Sequence, residues 1–148
     1  MPRRVLVVEP DRATHGVLRR AIGLMAQMDG CADFWAARAR VLSNEYAFLV
    51  TNLRLEAYNG LHLVYLGLTS GALTRSIVYT ATRDVHLARE VQASGAFYEP
   101  RDRLPHALRG YLQADLPGRD RRNAAVPDRR DLYRGGRRCS DLPVVAAP

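Results

Sequence analysis

The chain alternates short apolar runs with longer stretches in which apolar residues recur every three or four positions. The clearest run, Ala47-Phe48-Leu49-Val50-Thr51, stops at the polar Asn52. Its β-branched and aromatic content predicts a strand. Leu53–Tyr58 then leads to Asn59-Gly60, a turn signal rather than a site, and Leu61, Leu63, Val64 and Leu68 follow at helical spacing. In an open parallel sheet, ligands bind in the crevice at the carboxyl ends of the strands. Asn52 therefore stands where chemistry would be expected.

The rest of the pattern repeats this unit. Val5–Val8 predicts a buried parallel strand, ended by Glu9-Pro10-Asp11. Asp11 is expected to cap a helix carrying Val17, Leu18, Ala21, Ile22 and Met25 on one stripe, and Asp29-Gly30 to close it. Residues 31–36 read as a second strand and 37–44 as a short helix. Ser76–Thr80 is a fourth strand ending in a hydroxyl. Residues 83–93, with Val85, Leu87, Ala88 and Val91, form a weaker helix. Ala96-Phe97-Tyr98 is a short fifth strand, ended by Glu99-Pro100. Asp102 is expected to cap a last helix with Leu104, Ala107, Leu108, Tyr111 and Leu112 inward. Tyr79 and Phe97 read as core. Five strand–helix alternations predict an α/β domain, a parallel sheet with helices on both faces.

Composition changes this picture after Ala114. Fourteen Arg face ten acids before residue 115, and eight Arg face five Asp after it, where large apolar residues become sparse. Residues 1–114 are read as the folded domain and 115–148 as an Arg-rich, disordered tail. Interleaved Asp residues and a lone Tyr133 make the tail a poor nucleic-acid ligand, and no helix-turn-helix pattern follows the domain. All 22 basic residues are Arg, so any mechanism that needs a lysine ammonium is excluded. Cys31 and Cys139 show no metal or redox spacing, and His15, His62, His86 and His106 fall on four separate predicted helices. No signal-peptide pattern and no membrane-length apolar run occurs, so a cytoplasmic location is expected.

Three segments in this order resemble the receiver domain of two-component response regulators. Val5-Leu6-Val7-Val8-Glu9-Pro10-Asp11 sits where that family has an apolar strand ending in acids. Asn52-Leu53-Arg54-Leu55-Glu56-Ala57-Tyr58-Asn59-Gly60-Leu61 matches the segment from the phosphorylated aspartate to a turn glycine. Ile77-Val78-Tyr79-Thr80-Ala81 matches the strand ending in the switch Thr/Ser. The resemblance covers residues 4–113 and implies a doubly wound, five-stranded fold with strand order 2-1-3-4-5. It also implies a signalling partner, a histidine kinase or downstream effector, with homodimers compatible and no membrane role. Tyr98 falls where receivers often carry an aromatic that turns with activation, and Tyr98, Arg101 and Arg103 mark the surface where a partner would sit.

The resemblance implies chemistry that these residues do not supply. A receiver needs a carboxylate nucleophile at the third strand tip to form an acyl phosphate; here stands Asn52, a neutral amide. It needs paired acids to hold Mg²⁺, because hard cations take several oxygen ligands; here Glu9 is followed by Pro10. Asp11 is a substitute ligand or acceptor only if it is not the helix cap. It needs a lysine before the proline at the fifth strand tip; here stands Glu99. Of the main constellation only Thr80 remains. The expectation is a pseudo-receiver that signals by protein contact, is not an enzyme, needs no cofactor and binds Mg²⁺ weakly or not at all. The alternatives are a phosphorylated receiver with a substitute acceptor and a tail-driven nucleic-acid adaptor. Asn52 is expected to bond Glu9 or Glu99, with Thr80 joining, and the short span from Thr80 to Glu99 to shorten the fourth helix or clip the approach to the fifth strand.

Overall fold

The computed structural model describes residues 3–71 and 74–114. The expectations for 115–148, the Arg-rich tail with Cys139, lie outside those residues. In chain order the elements are β1 (Arg4–Val8), α1 (Arg12–Ile22), β2 (Gln27–Cys31), α2 (Phe34–Leu42), β3 (Phe48–Asn52), β4 (Arg54–Leu55), β5 (Tyr58–Asn59), α3 (Leu61–Thr69), β6 (Arg75–Thr80), α4 (Val85–Ala93), β7 (Phe97–Pro100) and α5 (Leu104–Gln113). Five strands form one sheet in the order β2-β1-β3-β6-β7, all parallel. Counted without the small β4-β5 hairpin, that is the expected order 2-1-3-4-5.

The apolar runs are the central strands. Val5–Val8 and Phe48–Thr51 are buried along their length because helices cover both faces of a parallel sheet. On one side Leu6, Val8, Leu49 and Val78 pack with Ala37 and Val41 of α2, Leu63 and Val64 of α3, and Val91 of α4. The register pairs Val8 with Thr51 and Asn52 with Tyr79, which gathers the strand ends at one rim. Beyond β3 the chain is tied down at once: Leu53 N donates to Tyr79 O (2.9 Å) and Gly60 N to Leu53 O (2.7 Å). Gly60 is required here by space rather than dihedral, since a Cβ would lie 2.4 Å from the Asn52 carbonyl oxygen.

Several expectations are corrected. The first helix ends at Ile22, with Gly23 at φ 52°, so Met25 lies beyond it. Asp29 and Gly30 do not close a helix but sit inside β2, and of residues 31–36 only Cys31 is in that strand. Asp33 caps α2 by accepting from Ala36 N (2.8 Å), which draws Phe34 and Trp35 into the helix. β2 is an edge strand with sequence QMDGC, and pairing to β1 outweighs its weak strand propensity. Val17, Leu68 and Val85, inward by helical periodicity, and Phe97, which reads as strand core, are exposed. Asp102 is not the cap of α5: the first helical bond runs from Ala107 N to Arg103 O, 3.0 Å. The fourth helix is nine residues long.

Candidate functional site

Glu9 is the organising residue at the strand ends. It follows β1 directly and is 2% exposed, a buried carboxylate at the end of a largely apolar strand. Such a group needs hydrogen-bond donors to offset its lost hydration. Three donors meet it. Asn52 Nδ2 at the β3 tip donates to Glu9 Oε1 (3.1 Å), the Tyr79 hydroxyl donates to the same oxygen, and Asp11 N donates to Oε2 (2.8 Å). Because β3 lies between β1 and β6, the Tyr79 side chain reaches past β3 to the β1 tip. The other half of the Asn52 amide is used as well: its Oδ1 accepts from Arg54 N at 3.0 Å.

Tyr79 reads as core from the sequence, yet it also brings a polar group to the strand ends. It is fully buried, yet its hydroxyl closes the acidic tip. One signal was available. A tyrosine inside a buried strand needs a partner for its hydroxyl, and Glu9 is the carboxylate two strands away. Burial, then the Glu9 hydrogen bond and charge, raise the Tyr79 pKa far above its ordinary value of 10.0. The folded state therefore keeps the proton where the unfolded chain releases it. The stability this supplies is complete below pH 10 and declines as pH rises beyond that value. In an alkaline titration followed at 295 nm, Tyr79 is expected to ionise only together with unfolding. Reversible ionisation of every tyrosine near pH 10 in the native protein would contradict this placement.

The remaining site residues divide into separate groups. Asp11 is the cap of α1: its Oδ2 accepts from Thr14 N (2.9 Å) and Thr14 Oγ1 (2.6 Å), and these bonds lower its pKa. Thr80 does not join Asn52. Its hydroxyl donates to Thr82 O (2.6 Å) and accepts from the Tyr98 hydroxyl (2.5 Å), which in turn accepts from Asp84 N (3.1 Å). Half-buried Tyr98 thus links the β6 tip to the start of α4. Glu99 turns away from Asn52 and accepts from the Tyr111 hydroxyl of α5 at 2.7 Å. That bond and burial push the Tyr111 pKa up, burial being the larger cause. Tyr98 and Arg103 line a groove of about 370 Å³ with Arg83, Val85 and Arg89, while Arg101 is exposed outside it. Among the described residues no group of three His, Cys, Asp or Glu is arranged to hold a metal ion. None of the described helices is long and apolar enough to cross a membrane.

No protein-family model and no curated protein matches the chain. Solved structures do. The signal receiver domain of a protein described as a LuxO repressor from Vibrio parahaemolyticus is 18% identical, with a TM-score of 0.68 over 76% of this chain and 92% of that one. A CheY-like response regulator receiver domain protein from Methanospirillum hungatei is 14% identical, with a TM-score of 0.65 over 76% and 94%. The response regulator domain of CheB from Thermotoga maritima is 16% identical, with a TM-score of 0.66 over 76% and 95%. What these similarities share with the present chain is the fold: a five-stranded parallel sheet and five helices in receiver order.

Proposed function

We propose that the chain is a receiver-type signalling module that works without aspartyl phosphorylation and without bound Mg²⁺, transmitting its signal through protein contacts rather than catalysis. The observation that carries this reading is the engagement of the Glu9 carboxylate. One oxygen holds Asn52 and Tyr79 and the other holds the Asp11 amide. A Mg²⁺ ion demands near-octahedral oxygen ligation. Here one carboxylate is offered, already bonded at both oxygens, beside a proline that offers no side-chain oxygen and an amide that donates. This donor set does not fit the ion. Nor does Asn52 supply the carboxylate oxygen that an acyl phosphate requires.

Asp11 caps α1, with two bonds from Thr14 on its Oδ2, which supports reading it as a structural residue rather than as a substitute acceptor. The groove containing Tyr98 and Arg103 supports a partner face built on α4 and the β7 end, suited to a histidine kinase or an effector. In this reading residues 1–114 are the signalling unit and 115–148 an extension, in a cytoplasmic protein. A Mg²⁺ titration of the isotopically labelled chain is expected to leave the amide resonances of Glu9, Asn52 and Thr80 unmoved up to about 10 mM, well above the affinities of competent oxygen-ligand sites. Saturable shifts at these three positions would overturn the proposal.

A further inference from the structure

We propose that the cleft between α1 and the carboxyl ends of β1 and β2 binds a small molecule carrying a phosphate group. This goes beyond the signalling reading and concerns the side of β1 away from Asn52. The cleft has a volume of about 370 Å³ and is lined by Glu9, Pro10, Arg12, His15, Arg19 and Cys31, among others. That volume falls in the range of small-molecule sites. Arg12, His15 and Arg19 stand at i, i+3 and i+7, so one face of α1 turns three cationic or protonatable side chains to one cavity. None of the three is paired with an acid: both ion pairs among the described residues belong to Arg4, to Asp29 and Glu45.

The back wall is built to admit this arrangement. Gly30 of β2 lies under the His15 ring, and a Cβ there would come within 2.1 Å of His15 Nε2. The glycine that weakens β2 as a strand thus lets the imidazole rest against the sheet edge. Against the Glu9 carboxylate on the wall stand two guanidinium groups, Arg12 and Arg19, so the cavity keeps an excess of positive charge. The Glu9 carboxylate is shared among three donors. The Cys31 thiol is kept protonated by burial, its pKa pushed up to about 11. Guanidinium groups bind phosphate oxygens in bidentate fashion. A bare phosphate would leave much of the volume unfilled beside Pro10, Cys31 and Ala32, which favours an organic group attached to it.

His15 adds a pH dependence. Four titratable or charged groups share its cavity: Glu9 just beyond β1, Cys31 from β2, and Arg12 and Arg19 from its own helix. Burial, then the charge of Arg19, lower its pKa, while Glu9 acts in the opposite sense. The imidazole is therefore neutral near pH 7, and a bound dianion draws a proton onto it, so binding tightens as pH falls.

The test is calorimetric titration of the full chain with phenyl phosphate and with sulfate, at a salt level of about 150 mM that screens diffuse attraction. Phenyl phosphate is expected to bind about tenfold tighter than sulfate. Arg12→Gln, Arg19→Gln and Gly30→Ala are each expected to weaken it about fivefold or more, whereas Arg83→Gln and Arg89→Gln near α4 leave it unchanged. Sulfate, which stays a dianion across the range, is expected to bind more tightly at pH 5.5 than at 7.5, and His15→Gln to abolish that difference. Absence of saturable binding, equal losses from the α4 variants, or equal affinity for the two anions would overturn the assignment.

Discussion

Replacing Glu9 by alanine is expected to destabilise the domain by about 3 kcal/mol, because it leaves a buried tyrosine hydroxyl and an amide donor without their acceptor. The comparison that isolates this cause is a double-mutant cycle with Tyr79→Phe. Each single change breaks the same bond, so the double variant is expected to lose less than the sum by about 1 kcal/mol or more. Urea denaturation of the four proteins provides the measurement. Strict additivity would mean that Glu9 and Tyr79 act independently, and the closed tip would have to be given up.

Asn52→Asp is expected to cost about 2 kcal/mol at pH 7.5, although it restores the residue type that the receiver resemblance implies. The amide nitrogen that donates to Glu9 Oε1 at 3.1 Å becomes a carboxylate oxygen facing another. At this separation two carboxylates do not both ionise readily, and the upper pKa of the pair is raised in the folded protein. The sign follows. A raised folded-state pKa means that the folded chain holds a proton the unfolded chain has released, so the variant regains stability as pH falls toward 5. A variant that matches the parent at pH 7.5 and does not gain on acidification would show that Asn52 is not held as described.

Much of this architecture is legible from the pattern of residues. Val5–Val8 and Phe48–Thr51 announce central strands because a strand covered on both faces has to be apolar throughout. Asp11 announces a cap, and takes that role. The position of β2 is not legible locally, because an edge strand bearing Asp29 and Gly30 carries little intrinsic preference and its pairing with β1 is a tertiary effect. Val17, Leu68 and Val85 show the opposite error, since helical periodicity marks a stripe but not how wide a stripe the sheet covers. At the site, the residue types that the receiver resemblance implies, a second acid, an aspartate and a lysine, can be compared directly with Pro10, Asn52 and Glu99. The partners cannot be read in this way. Glu99 was one of two candidates for Asn52, and geometry assigns it to Tyr111 instead. Tyr79 was hidden because an aromatic in an apolar run has the same pattern whether or not its hydroxyl has work to do.

The central claim concerns what the β3 tip can accept. Incubating the full chain with acetyl phosphate and excess Mg²⁺, and weighing the intact protein, addresses it most directly. The expected result is an unchanged mass after exposure that labels a competent receiver run in parallel. A stable gain of one phosphoryl group on a residue at the strand ends would contradict it.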